Sequence, residues 1–196
     1  MANEDAPFGA TTGTCDGTTT IPCNTRNGGH PYPVRGAYGG YLSVGDYVSL
    51  DAKNYLVRGP TTINSNSVLL GRVSGIYKAT MLGTDDPDYI TLTGAGTTVE
   101  AYANVEDAAD QTFESQEDSV GGNLAETDCG LNIDVAAGSA AASISVMELD
   151  SSSAATTITL PLTLCALSNY HGNAVGTNAR WYVKMNHPQS RVPTGL

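Results

Sequence analysis

Twelve consecutive residues, TTITLPLTLCAL at 156–167, constrain this chain more than any others. Ile158, Leu160, Leu162, Leu164 and Ala166 recur at every second position, with Thr157, Thr159, Pro161, Thr163 and Cys165 between them. Successive strand side chains point to opposite sides, so this period fits an extended segment with one apolar and one wet face. Pro161 donates no backbone hydrogen bond, which calls for a sheet edge or a break there. ARWYVKMN (179–186) repeats the pattern, with Trp181, Val183 and Met185 inward and Arg180, Tyr182 and Lys184 outward. ASISVMEL (142–149) reads as a third such strand. Alternating strands joined by Ser- and Gly-rich connections imply an antiparallel, jelly-roll-like β-sandwich.

Upstream the strands are shorter. YLSVGDYVSL (41–50) alternates around a Gly-Asp turn, NYLVRG (54–59) returns, and VLLGRVSGIYKAT (68–80) is interrupted by Gly71 and Gly75, where a bulge or bend is expected. These segments predict a small barrel-like module. TDDP (84–87) reads as a turn, and YITL (89–92) and TTVEAYANV (97–105) as further strands. NVEDAADQ (104–111) is expected to form one or two helical turns, with Asn104 as N-cap. Residues 1–36 hold four prolines, many Gly and Thr, and no hydrophobic periodicity, so they cannot build a core. The reading is all-β: an extended N-terminal arm (1–38), a small β-barrel-like module (39–95) and an antiparallel β-sandwich (96–196). Helix should account for less than about one residue in seven, well below the usual share.

Charge narrows the function classes. Nine Lys plus Arg against 20 Asp plus Glu give a net charge of -11, which argues against sequence-independent nucleic-acid binding and against an anionic membrane surface. The start carries two acids and no apolar run, and no stretch is apolar enough for a spanning helix, so a soluble protein is expected. The acids are unevenly placed: residues 79–179 hold fifteen acids and no Lys or Arg, whereas residues 1–78 hold five acids and six bases. Most of Glu106, Asp107, Asp110, Glu117 and Asp118 within that block are expected to face solvent or a basic patch on a partner, because burying them without counter-charge is costly.

Residues suited to chemistry are sparse. Only His171 of the three histidines lies where it could overlook a structured site, and no nucleophile-elbow, P-loop or dinucleotide motif is present. Asp85, Asp86 and Asp88 are close enough to bind a hard cation or simply to make a turn, and their spacing is not that of an EF-hand. Cys15 and Cys23 could close a small disulfide loop or remain free thiols; with Cys129 and Cys165 they make no zinc ligand set. No cofactor, metal or catalytic residue is assigned. Within the arm, Arg26, Tyr32 and Arg35 are the candidate partner-binding residues, supplying charge-assisted and aromatic contacts on a Pro-stiffened segment.

LLGRVSGIYKAT (69–80), VEAYANVEDAADQTFESQED (99–118), CGLNIDV (129–135), MELDSSSAATT (147–157) and LPLTLCALSNYHGNAVGTNARWYVKMNHPQ (160–189) follow one another in an order and spacing that resembles the head-decoration, or cement, proteins of tailed bacteriophages. The resemblance spans about three quarters of the chain, from Gly45 to Gln189. Gly172 stands where an Asp is expected, and the arm matches nothing in the family. The resemblance implies a non-enzymatic virion structural protein on the capsid exterior, assembled in the host cytoplasm, that binds the major capsid protein and other copies of itself. The alternative is a carbohydrate-binding or adhesin-type β-module, which would need exposed aromatics on one strand face. A hydrolase is the further alternative.

Overall fold

The computed structural model describes residues 11–12, 29–35, 40–63, 65–78, 89–92, 99–138 and 145–189. Among them there is no α-helix, Glu126–Asp128 form a 3-10 turn, and the all-β reading holds. Among the described residues no helix is long and apolar enough to cross a membrane.

Five strands form a closed barrel: β2 (His30–Arg35), β4 (Tyr47–Leu50), β5 (Leu56–Arg58), β8 (Gly71–Lys78) and β10 (Val99–Glu106), ordered β10-β2-β5-β4-β8. Its pairings are antiparallel except β2 with β5, which run parallel at Val34 and Leu56. Val34, Val48, Leu56, Val73, Ile76, Ala101, Ala103 and Val105 fill it, joined by Leu42 and Ile90 from the ladder of β3 (Gly40–Ser43) with β9 (Tyr89–Leu92). Two glycines permit closure. A Cβ on Gly71 would lie 2.1 Å from the Glu106 carbonyl oxygen, and one on Gly29 would lie 2.0 Å from that of Val105. The Gly75 irregularity anticipated in β8 is present as a register shift opposite Asn104–Val105.

The barrel draws its strands from all three expected segments. β2 comes from the arm and β10 from the region assigned to the sandwich, because ring closure needs partners that are remote in sequence.

The remaining strands build a six-stranded antiparallel sheet: β1 (Thr11–Thr12), β11 (Thr112–Gln116), β15 (Arg180–Met185), β14 (Leu162–Leu167), β12 (Asn132–Ala136) and β13 (Glu148–Ala155), in that spatial order. A parallel bridge pairs Glu117, just after β11, with Leu149 on β13, and the Asp118 N–H donates to the Leu149 carbonyl at 3.0 Å. The antiparallel part is therefore one sheet curled on itself, with Phe113, Ile133, Leu149, Leu162, Leu164, Trp181, Val183 and Met185 in a single core.

Barrel and sheet interlock. Tyr47 leaves β4 to enter the second core, where its ring meets Phe113 edge-on at 5.7 Å and its hydroxyl pairs with Ser115 at 2.8 Å. From the far end of the chain, Gln189 accepts from Leu50 N–H and donates to Leu50 C=O at 2.6 and 3.0 Å. The hairpin of β6 (Thr61–Ile63) and β7 (Asn66–Val68) is the remaining ladder.

Three local expectations are corrected. The run at 156–167 becomes a strand only from Leu162, immediately after Pro161, so Ile158 is 70 % exposed in a turn. A register shift between Leu164 and Ala166 then turns Ala166 outward. Residues 104–111 contain no helix: β10 runs through Glu106, because the Ala101, Ala103 and Val105 alternation continues into the barrel and outweighs local capping. Of the strand expected at 142–149, residues 142–144 lie outside the described residues and 145–147 are not strand, while β13 runs from Glu148 through the serines to Ala155, paired with β12.

Candidate partner-binding site

Pro31 and Pro33 fix the backbone of β2 in the extended region, and alternation turns Tyr32 and Val34 toward the barrel. Tyr32 donates its hydroxyl to Asp107 Oδ2 at 2.7 Å, and His30 Nδ1 lies 2.9 Å from Asp107 Oδ1. Asp107, just beyond β10, thus clamps both ends of the HPY segment. Burial, then the Asp107 hydrogen bond and its charge, push the Tyr32 phenol well above its ordinary pKa. Arg35, at the other end of β2, stacks its guanidinium 3.2 Å above the Tyr55 ring. Tyr32 and Arg35 therefore have partners within the barrel and root the arm there. Arg26 lies outside the described residues, as do Cys15, Cys23, Asp85, Asp86 and Asp88.

Of Glu106, Asp107, Asp110, Glu117 and Asp118, four have partners within the chain. Glu106 pairs with Arg72 across the β8–β10 ladder at 3.2 Å, and Asp107 meets His30. Asp118 accepts from the Ser151 N–H and hydroxyl at 3.1 and 2.9 Å. Glu117 is fully buried, and only Asp110 of the five is exposed. Glu106 and Asp107 find basic partners in space that the sequence does not place near them, because β10 lies between strands that carry Arg72 and His30.

Two buried carboxyls mark structural junctions. Asp46 accepts from Arg58 Nε at 3.0 Å, Ser43 N–H at 2.9 Å and Ser145 Oγ at 2.6 Å, which ties the barrel to the segment leading into β13. Burial raises its pKa, opposed by the Arg58 charge and the Ser145 and Ser43 hydrogen bonds. Glu117 sits at the seam of the curled sheet, where Oε2 accepts from Leu124 N–H at 2.7 Å and Oε1 has no partner. Burial pushes its carboxyl up to about 7, against the lowering effect of that N–H bond.

Cys129 and Cys165 are free, and burial raises both thiols, so neither is activated as a thiolate. His171 lies in an exposed turn, and His187 Nε2 meets the Ile158 carbonyl. Among the described residues no group of three or more His, Cys, Asp or Glu is arranged to hold a metal ion.

Sequence reasoning missed Asp107 and Tyr55 as partners of the arm's root. A hint was available in the outward set of VEAYANVE, where Glu100, Tyr102, Asn104 and Glu106 alternate with the small core residues. No family model, curated protein or solved structure matches the chain.

Proposed function

We propose that the chain is a non-enzymatic structural protein of a phage head, binding the assembled major capsid protein from outside and stabilising the shell. The observation that carries this reading beyond sequence resemblance is the path of the arm. Thr11–Thr12 adds as an edge strand to β11, and the same N-terminal region supplies β2 to the barrel. Its described pieces pair with strands from elsewhere in the chain, β1 at a sheet edge and β2 within the closed ring. Strand addition of this kind is a general mode of protein attachment, since it satisfies backbone groups that an exposed edge leaves open.

In this reading the residues between Thr12 and Gly29, Arg26 among them, contact the capsid, while Tyr32 and Arg35 anchor the arm's root. A protein that binds the expanded shell but not its precursor stabilises the shell by the difference in affinity, and many copies multiply weak contacts. Deleting residues 2–28 keeps Gly29 and all of β2, so the barrel should still fold. Occupancy on undecorated heads of the cognate phage, measured by co-sedimentation, should fall at least about tenfold as arm contacts are lost. Undiminished occupancy with an unchanged melting temperature would overturn the assignment.

A further inference from the structure

The outer surface of β8, β10 and β2 carries a compact group of uncharged side chains. Tyr102 on β10 lies directly opposite Tyr77 on one side and Pro33 on the other, so these three form one row. Two residues along, Asn104 lies opposite Pro31 and Gly75, and Gly75 adds no side chain to that row. Tyr77 is 42 % and Tyr102 44 % exposed. Asn104 Nδ2 donates to the Tyr77 hydroxyl at 3.0 Å, which fixes the amide and leaves the phenolic O–H free to donate outward.

Among the described residues, the charges around this group are engaged within the chain: Arg72 with Glu106, His30 with Asp107, and Arg35 over Tyr55, while Glu100 is likewise partnered. Among the described residues the face presents flat rings, hydroxyls and an amide, with no charged side chain in the rows of Tyr102 and Asn104.

Size and shape select among occupants. Strands about 4.8 Å apart and rows about 7 Å apart give a patch on the order of 200 Å². A stable protein partner or second copy needs roughly 800 Å² per side. An anionic polymer is opposed by the net charge of -11. The small, flat, neutral surface suits an extended, uncharged chain whose units each offer an apolar face and a rim of hydroxyls. Tyrosine rings give such a ligand rigid amphipathic contact at little entropic cost.

We infer that the Tyr77–Tyr102–Asn104 face of the barrel is a binding platform for a neutral polysaccharide. This goes beyond shell attachment, which the arm performs, and it gives a shell-bound copy an outward contact that many copies would strengthen together.

The test is native electrophoresis of the full chain through gels containing xylan, mixed-linkage β-glucan, galactomannan or dextran, with heparin as the anionic control. Wild type should be retarded in at least one neutral gel. Tyr77→Ala/Tyr102→Ala should lose that retardation at least about tenfold while melting with wild type, and Asn104→Ala should weaken it less. Unaffected migration in all four neutral gels, retardation only by heparin, or retardation that the double variant keeps would overturn the platform. Head occupancy of the double variant should equal wild type. Its loss without any polysaccharide retardation would show a protein-contact surface instead and would also overturn the proposal.

Discussion

The barrel closes past small inward residues on one strand, β10, whereas the six-stranded sheet curls around large ones and meets itself at a short seam. On β10, the strand most central to the barrel, the inward set is Ala101, Ala103 and Val105, and neighbouring backbones approach closely enough to require Gly29 and Gly71. The sheet instead packs Phe113, Leu162, Trp181 and Met185, and joins its edges at Glu117 and Leu149. The barrel should therefore tolerate added volume poorly, and the sheet should tolerate lost volume poorly.

The largest effect tests the sheet. Leu162 is fully buried, and Leu162→Ala should destabilise the protein by about 2–5 kcal/mol through lost transfer energy and a cavity. Chemical denaturation measures it, and a midpoint equal to wild type would show that the inward face is misassigned. Gly71→Ala tests the barrel from the opposite direction. Its Cβ would collide with the Glu106 carbonyl, so the backbones of β8 and β10 must separate, at a cost of about 1–3 kcal/mol. If the alanine variant is as stable as wild type, closure does not depend on close approach.

The seam supplies a pH test. The Glu117 carboxyl titrates near its ordinary 4.5 in the unfolded chain and at about 7 in the folded one. Below the lower value both states are protonated. Between the two the unfolded state loses its proton first, so stability falls as pH rises from about 4.5 to about 7 and levels off above. Glu117→Gln should remove that fall, narrowing the stability difference between pH 5 and pH 8 by roughly 2 kcal/mol. A wild-type and variant pair with parallel stability curves over this range would place the carboxyl in contact with water. The smallest effect tests the interlock. Tyr47→Phe removes the hydroxyl that pairs with Ser115 and should cost about 0.5–1.5 kcal/mol. Two separate unfolding transitions in this variant would show that the single hydroxyl couples the two cores.

Buried charge follows the same contrast. The barrel neutralises its acids across strands, with Arg72 on Glu106 and Arg58 on Asp46. The seam leaves one carboxyl oxygen of Glu117 without a partner. Counting acids along the chain could not separate these cases, since a residue's counter-charge depends on which strand lies beside it.

Local pattern determined the secondary-structure class and most inward faces. Trp181, Val183 and Met185 alternate inward as their spacing requires, and Pro161 stops the strand where its missing N–H says it must. These properties depend on neighbours within a few residues, which the sequence displays directly. The tertiary structure alone decided that residues 30–35 and 99–106 complete one ring, that Tyr47 belongs to the other core, and that Asp107 holds the arm's root. It also brought Tyr77 beside Tyr102, 25 positions apart in the chain. Each of these contacts depends on strand order and register between distant segments, and alternation with a period of two fixes which face a side chain takes without fixing which strand it meets.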